Sequence, residues 1–334
     1  MNMISTKVSH RERMQAFLSG QTLDRLPIAL WRHFPVDDQD PIRLAAATIN
    51  FQNSFDFDLV KVTPASSFCL KDWGAEDRWE GNPEGTRRYT KHVIESPKDW
   101  EKLTFLTPNS QFQANQLDCL SILRNKIDSN TPIIQTIFNP LSQAKNLAGG
   151  ETLLTHIRLF PEAVLKGLET IAKSTRLFID AAIGTGIDGI FFAIQHAQAG
   201  LLTKSEFDNF GKKLDFNLLE AAQPLWCNIL HLHGNNVYFD SVTDYPINII
   251  NWHDRDTSPS LQEAVQKYKG FLCGGLKRET ISLGSPLEIK QEIRDAISQV
   301  SGKRLLLGTG CVVPSIAPYG NIMAARKMVD EYES

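Results

Sequence analysis

The feature that most constrains the fold is a regular alternation of short apolar runs with stretches that carry helical periodicity. About eight such runs can be counted, and continuous apolar runs are typical of parallel strands covered on both faces. This order predicts an α/β fold, a (β/α)8 TIM barrel. The alternative, a doubly wound open sheet, is disfavoured because no Gly-x-Gly-x-x-Gly motif follows the first run. The predicted strands cover residues 28–32, 57–63, 133–138, 188–194, 226–232, 247–252, 271–275 and 304–308.

Helices are predicted after most of these strands, where serine or proline opens a periodic stretch and glycine often follows it. They cover residues 9–20, 41–53, two stretches after Pro140, 161–184, 205–222, 260–268, 286–300 and 319–332. Residues 69–107 break the alternation, since they are polar and rich in Trp and Gly, and a hairpin is expected around residues 81–85. We therefore expect a single domain over residues 1–334, with a short N-terminal helix and a hairpin excursion.

Composition excludes several classes of function. Hydrophobic residues make up 42% of the 334 residues, which is enough for a large core. The net charge of −3 is spread along the chain, so neither nucleic acid nor a membrane surface is an expected partner. Residues 1–7 lack the apolar run of a signal peptide, and no apolar run reaches the length of a membrane span. Together with five scattered cysteines, these features predict a protein of the reducing cytoplasm.

One predicted strand end carries a candidate metal site. His231-Leu232-His233 precedes Gly234, and residues two apart on a strand project from the same face. Cys311 follows another predicted strand and is the best candidate for a third ligand. Two histidines and one thiolate suit zinc and leave a fourth position for water or substrate. The alternative is that these histidines are hydrogen-bonded core residues, because His-x-His also occurs by chance.

The carboxyl ends of barrel strands collect catalytic residues, and several other predicted strands here end in polar side chains. Catalytic roles are expected for His196, Arg32 and Asn139. Substrate binding is expected for a wider set at the same ends: Arg32, His33, Lys61, Gln195, His196, Trp252 and His253. Arg32, with Lys277 or Arg278, can hold a carboxylate or phosphate, although a salt bridge at the barrel mouth is equally consistent with these residues. No single one of these residues indicates an active site, but the set as a whole favours one.

Three segments of the chain carry a family resemblance. They are Arg11-Glu12-Arg13-Met14 with Asp24-Arg25-Leu26-Pro27, the Gly275 strand followed by Gly284-Ser285-Pro286-Leu287-Glu288-Ile289, and Leu307-Gly308-Thr309-Gly310-Cys311 with Pro314 and Pro318. Over nearly the whole chain, they resemble the uroporphyrinogen decarboxylase superfamily. The resemblance implies a (β/α)8 barrel. Members of that superfamily are either metal-free decarboxylases or corrinoid-linked methyltransferases of the methylcobamide:coenzyme M kind.

Motif differences separate this chain from the decarboxylase branch. Decarboxylases carry a Met-Arg-Gln-Ala-Gly-Arg-Tyr segment, where this chain has Trp31-Arg32-His33-Phe34-Pro35. Their essential Asp follows a strand that here reads Val60-Lys61-Val62-Thr63-Pro64, and their Gly-His-Gly is here Gly308-Thr309-Gly310. The arginines and carboxylate that would bind propionates and hold pyrrole protons are therefore missing from these positions.

The methyltransferase branch binds zinc through His-x-Cys and a distant Cys, and His231, His233 and Cys311 fall on those positions. His233 replaces the first cysteine and makes the site less negative by one charge, which favours methyl-donor activation or a non-thiol acceptor. The resemblance implies a zinc-dependent methyltransferase that moves a methyl group between a small molecule and a corrinoid. A partner protein would carry that corrinoid, because this chain has no Asp-x-His-x-x-Gly motif. A homodimer, a metal-free decarboxylase of uroporphyrinogen or a related acid, and a non-catalytic binding protein remain open.

Overall fold

The computed structural model describes residues 8–331. Residues 1–7, which bear on the signal-peptide expectation, and residues 332–334, which include the end of the predicted last helix, lie outside this range. The strands are β1 (Val60–Val62), β2 (Glu76–Arg78), β3 (Arg88–Lys91), β4 (Ile133–Phe138), β5 (Gly189–Ile194), β6 (Ile229–Leu232), β7 (Ile249–Trp252), β8 (Phe271–Leu276) and β9 (Leu305–Thr309). Strands β2 and β3 form an antiparallel hairpin. The other seven are parallel and form one sheet in chain order, from β1 and β4 to β9.

Residues 27–29 occupy the eighth position and close the sheet into a barrel. Ile28 forms a parallel bridge with Leu307 of β9, and the Asp58 N–H donates to the Ile28 carbonyl (2.9 Å). The strand predicted over residues 28–32 is therefore reduced to a bridge. Pro27 has no N–H to donate, and the Ile28 N–H donates to the Asp58 carboxylate (2.9 Å) instead of to a strand partner. The predicted (β/α)8 architecture is confirmed.

The helices follow the strands as the sequence predicts, and residues 205–222 are divided by a π-helical segment at Asp208–Lys212. The helices are α1 (His10–Leu18), α2 (Pro41–Phe55), α3 (Asp99–Lys102), α4 (Gln111–Lys126), α5 (Pro140–Ala148), α6 (Gly150–Leu159), α7 (Pro161–Ile183), α8 (Lys204–Phe207), α9 (Lys213–Ala221), α10 (Leu261–Lys267), α11 (Arg278–Leu283), α12 (Pro286–Gln299) and α13 (Tyr319–Met328). Capping boxes begin four of them, at Ser9, Thr203, Ser260 and Ser285. Within residues 8–331, no helix has both the length and the apolar character that crossing a bilayer requires.

The excursion between β1 and β4 is confirmed as a hairpin, made by β2 and β3. Helix α4 in this region was not predicted, because its sequence is largely polar and carries little amphipathic periodicity. The hairpin loop reaches back to the barrel mouth. There the Ser315 N–H donates to the Pro83 carbonyl (2.6 Å), and Glu84 pairs with Arg278 (2.5 Å).

Buried ion pairs fasten the N-terminal segment to the amino end of the barrel. Asp58, just before β1, pairs with Arg13 (2.8 Å) and Arg25 (2.7 Å). Asp188, just before β5, pairs with Arg11 (2.5 Å). Several of the residues that carry the family resemblance therefore stabilise the fold. The carboxyl ends of the strands lie at the opposite end of the barrel.

Candidate metal centre

His231 lies on β6 with its imidazole directed toward the barrel interior. It is in register with Asn251 of β7, and its Nδ1 lies 2.7 Å from the Asn251 Oδ1. The Asn251 amide nitrogen donates to the carbonyls of Cys273 (2.9 Å) and Thr309 (3.1 Å), which fixes its oxygen toward the histidine. Nδ1 of His231 therefore carries the proton, and Nε2 has a free lone pair. Among residues 8–331 that buried Nε2 has no hydrogen-bond partner, as expected for an atom that faces a ligand.

His233 and Cys311 come to the same place from the ends of β6 and β9. The His233 N–H donates to the Ile194 carbonyl (2.9 Å), so the backbone of this residue continues the pairing of β6 with β5. Gly234 then turns the chain at a φ of +104°. The Cys311 Sγ lies 3.8 Å from the His233 Nδ1. The two strands are far apart in sequence but face each other across the closed barrel.

His253 joins this cluster from the end of β7. One donor atom from each of His231, His233, His253 and Cys311 lies within 4.8 Å of the others. The ring centroid of His253 is 5.0 Å from that of His233, and its Nε2 has no hydrogen-bond partner in the described part of the chain. We had expected His253 to bind substrate. Its place beside the predicted ligands follows from the adjacency of β6 and β7, which sequence spacing alone does not reveal.

The electrostatics of the cluster favour a thiolate among imidazoles. Burial alone would raise the pKa of the Cys311 thiol, but His231, His233 and His253 together hold it well below its usual value. Burial lowers the pKa of His231. For His233, the hydrogen bond and charge of Cys311 outweigh burial, so its pKa is raised. A sulfur anion surrounded by nitrogen donors matches the ligands that zinc prefers.

A cavity of about 480 Å³ opens above the cluster at the barrel mouth. His233 and His253 form part of its wall, and Glu84, Asp256, Lys277, Arg278 and Glu279 line the rim. The rim cations are paired, Arg278 with Glu84 (2.5 Å) and Lys277 with Glu279 (3.0 Å). The salt bridge that the sequence left as an alternative for these two cations is therefore present. The cavity is large enough for a small substrate to approach His233 and His253.

Three other predicted site residues lie at the ends of β1 and of the segment before it. Lys61 is buried, and burial lowers the pKa of its amine to about 7. Burial, with a further contribution from Lys61, lowers the pKa of His33 to about 4. Arg32 is partly exposed and has no carboxylate partner among residues 8–331. These residues and the metal cluster lie at the same end of the barrel.

Asn139 and Gln195 serve the packing of α5. The Asn139 side chain caps that helix at the Ser142 N–H (3.0 Å) and donates to the buried carboxylate of Asp215 (3.1 Å). The Gln195 N–H donates to the Ser142 hydroxyl (3.0 Å). The side chain of Asn139 therefore bonds to structural partners, which gives no support to its expected catalytic role. His196 is buried, burial lowers its pKa to about 4, and its Nδ1 has no partner in the described chain.

Trp252 does not face the cavity. It is in register with Leu232, on the side of β7 opposite Asn251, and its indole donates to the Pro259 carbonyl (2.8 Å) against Phe239. The alternation of side chains along β7 turns the indole toward the outer helices, so its position gives no support to the expected contact with substrate. The neighbouring Asp254 accepts the Gly275 N–H (3.0 Å).

Comparison with known proteins shows what this chain is similar to. The family model described as uroporphyrinogen decarboxylase (URO-D) matches residues 9–332. Methylcobamide:CoM methyltransferase MtbA of Methanosarcina acetivorans is 21% identical over 341 residues, which covers 97% of this chain and 98% of that protein. Methylcobamide:CoM methyltransferase MtaA of Methanosarcina barkeri is 21% identical over 345 residues, covering 96% and 98%.

Solved structures show the same fold. A methyltransferase from Methanosarcina mazei superposes with a TM-score of 0.87 at 18% identity, covering 98% of this chain and 100% of that one. A B12-independent methionine synthase from Shewanella sp. W3-18-1, in complex with selenomethionine, has a TM-score of 0.57 at 15% identity, covering 95% and 98%. The family model spans nearly the whole chain and confirms the resemblance carried by the sequence motifs, so the chain belongs to the uroporphyrinogen decarboxylase family.

Proposed function

We propose that the protein is a zinc-dependent methyltransferase that moves a methyl group between a small-molecule substrate and a corrinoid carried by a partner protein. The observation that carries this proposal is the convergence of His231, His233 and Cys311 at the carboxyl end of the barrel. The names of the relatives, methylcobamide:CoM methyltransferases, support the reaction type. A metal centre of this kind has no evident use in a metal-free decarboxylase.

The residues present fit a catalytic metal. Bound there, zinc would supply Lewis acidity to a heteroatom of the substrate. Asn251 holds the His231 ring with Nε2 turned to the cluster, and the closed barrel excludes bulk water from His231. His233 and Cys311 complete a three-donor set, which is the number that catalytic zinc sites use.

His253 raises the question of a fourth protein donor. Four donors typify structural zinc sites, whereas a catalytic site keeps one position open. His253 shares the wall of the mouth cavity with His233, and its Nδ1 lies 3.9 Å from the Asp256 carboxylate. We propose that His231, His233 and Cys311 hold the metal permanently, and that His253 gives way to substrate or contacts it.

The charge of the donor set favours one direction of methyl transfer. With one thiolate and neutral imidazoles, a bound divalent zinc keeps a net positive charge, which strengthens its pull on a substrate heteroatom. This favours activation of a methyl donor such as a methyl ether, or a non-thiol acceptor. The relatives named above act with coenzyme M according to their names, and nothing is carried over from them about this chain's own acceptor.

The first experiment measures metal and methyl transfer in the same preparations. Purified wild type, His231→Ala, Cys311→Ser, His253→Ala and a control, His92→Ala, are analysed for zinc by mass spectrometry. His92 is a suitable control because it bonds the Asn146 carbonyl (2.9 Å) and is not among the four clustered residues. Each protein is then given reduced cobalamin with a panel of methyl ethers, methylamines and methyl thioethers.

We expect about one zinc per chain in the wild type, His92→Ala and His253→Ala, and little in the other two variants. Methyl-cobalamin should form only where zinc is retained. Absence of zinc from every preparation, or equal zinc in all of them, contradicts the proposal. Carbon dioxide release from uroporphyrinogen by metal-stripped protein would establish the decarboxylase alternative instead.

A further inference from the structure

Lys61 is a buried amine with no carboxylate partner among residues 8–331. Its side chain leaves β1 toward the barrel interior, and Nζ donates to the Thr63 hydroxyl (3.2 Å). Cys311 is the charged group that acts on it. Only 7% of the residue is exposed. Because burying an unpaired ammonium is costly, its retention at this position calls for a functional explanation.

The surroundings of Lys61 connect it to the metal cluster. Nζ lies 4.5 Å from the centroid of the Phe191 ring and 5.7 Å from that of Trp31. The Phe191 ring also stacks on that of His231 (5.3 Å) and contacts that of Trp31 edge-on (5.2 Å). The titratable groups that act on Lys61 electrostatically are Cys311, from the loop after β9, and His33, from the segment before β1. The amine is therefore next to the cluster without being one of its donors.

We propose that Lys61 is the proton donor and acceptor for the substrate heteroatom in methyl transfer. This inference rests on the function proposed above. For a methyl ether, the cobalt electron pair of the reduced corrinoid forms the new carbon–cobalt bond, and the carbon–oxygen pair moves to oxygen. That oxygen takes a proton from the Lys61 ammonium, leaving the alcohol and a neutral amine that solvent reprotonates. In the opposite direction the neutral amine removes the proton from an alcohol or thiol acceptor.

The environment suits an amine that works in both protonation states. Burial lowers the pKa of Lys61 to about 7, so near neutral pH both forms are populated. General acid–base catalysis is most effective when the group titrates near the working pH. Trp31 and Phe191 hold the side chain in place, and the ammonium gains some stabilisation from their ring faces. A lysine that only filled space would not need this arrangement.

The test compares two classes of methyl donor. A methyl ether leaves as an alkoxide and needs a proton, whereas a methylsulfonium or tetraalkylammonium compound leaves as a neutral molecule and needs none. For Lys61→Met we expect the ratio of ether to onium rates to fall by about 100-fold, within the usual range for a general acid. Lys173→Met is the matched control, because that lysine also lies over an aromatic ring, Phe105 (3.9 Å), but lies outside the site. Its rate ratio should equal that of the wild type.

Lys61→Arg distinguishes a role of Lys61 in proton transfer from a role of its positive charge alone. Arginine keeps the positive charge but does not release its proton near neutrality, so the ether rate should stay low. Recovery of the ether rate in Lys61→Arg, or an equal loss with both donor classes in Lys61→Met, overturns the proposal. Zinc content is measured in all variants, and it should stay at the wild-type level if Lys61 acts on the substrate and not on the metal.

A second experiment follows the titration of Lys61 directly and needs no substrate. Lysine labelled with ¹³C at Cε is incorporated, the Lys61 signal is identified by its absence from Lys61→Met, and its shift is followed against pH. We expect a midpoint near neutrality, and a midpoint near that of surface lysines overturns the proposal. If the wild type transfers no methyl group from any donor, the proposed function fails, and the role of Lys61 in it fails too. If it does and the rate ratio is unchanged, only the Lys61 proposal fails.

Discussion

Asn251→Ala tests whether Asn251, which is not itself a proposed ligand, orients the metal-binding ring of His231. The Asn251 side chain makes three hydrogen bonds, to His231 (2.7 Å), Cys273 (2.9 Å) and Thr309 (3.1 Å), and is fully buried. Alanine removes all three and leaves two carbonyls and the His231 Nδ1 without partners. The ring is then free to rotate and to bind its proton on the nitrogen that faces the metal.

The expected losses of unfolding free energy and of zinc affinity follow from these contacts. Each buried group left unpaired costs about 1–3 kcal/mol, so the variant should lose roughly 3 kcal/mol or more of unfolding free energy. Loss of a group that orients a metal-binding histidine lowers metal affinity by about 10- to 100-fold. The control is Asn228→Ala. Asn228 also bonds buried backbone groups, the Ile190 N–H (3.0 Å) and the Ala222 carbonyl (3.0 Å), but is not among the clustered residues.

The assay is a competition titration of zinc against a chromophoric chelator, at a temperature where circular dichroism shows every variant folded. Urea denaturation of the same samples gives the stability. We expect both variants to be destabilised, but only Asn251→Ala to bind zinc more weakly. Wild-type zinc affinity in Asn251→Ala, or an equal loss of affinity in Asn228→Ala, would refute the idea that Asn251 positions a metal ligand.

Three further predictions concern the stability of the fold. Burial raises the pKa of Asp215 to about 8. The folded protein therefore holds a proton that the unfolded chain releases above about pH 4, and stability should fall as pH rises from about 4 to 8. Asp215→Asn should flatten that part of the urea-denaturation profile. At Gly85, φ is +77° and an added Cβ would lie 2.4 Å from the His33 Cβ. Gly85→Ala should thus lower the melting temperature more than Gly20→Ala, where φ is +67° and the space is open. Asp58→Ala leaves two buried arginines without their shared carboxylate and should cost about 3–5 kcal/mol by the same urea assay.

The architecture could be predicted from sequence because the information is local. Apolar runs mark the strands, periodic stretches mark most helices, and Ser9 caps α1 as expected. The exceptions are elements whose state depends on distant partners. Ile28 forms only a bridge, and its N–H donates to the distant Asp58 carboxylate. Helix α4 packs a largely polar sequence against the barrel.

The candidate site was predictable only in part for the same reason. The parity of His231 and His233 on one strand places both imidazoles on the same face without any tertiary information. The participation of His253 requires knowing that β6 and β7 are neighbours, with His231 in register with Asn251. The parity of Trp252, which turns it outward, follows from that same register.

Zinc K-edge X-ray absorption on the purified protein tests the central claim most directly. The account predicts one zinc per chain with a single sulfur neighbour at about 2.3 Å and imidazole nitrogens at about 2.0–2.1 Å. In Cys311→Ser the sulfur contribution should disappear from whatever zinc remains. A metal-free wild type, or a zinc spectrum without sulfur, would contradict the claim that His231, His233 and Cys311 form one metal centre.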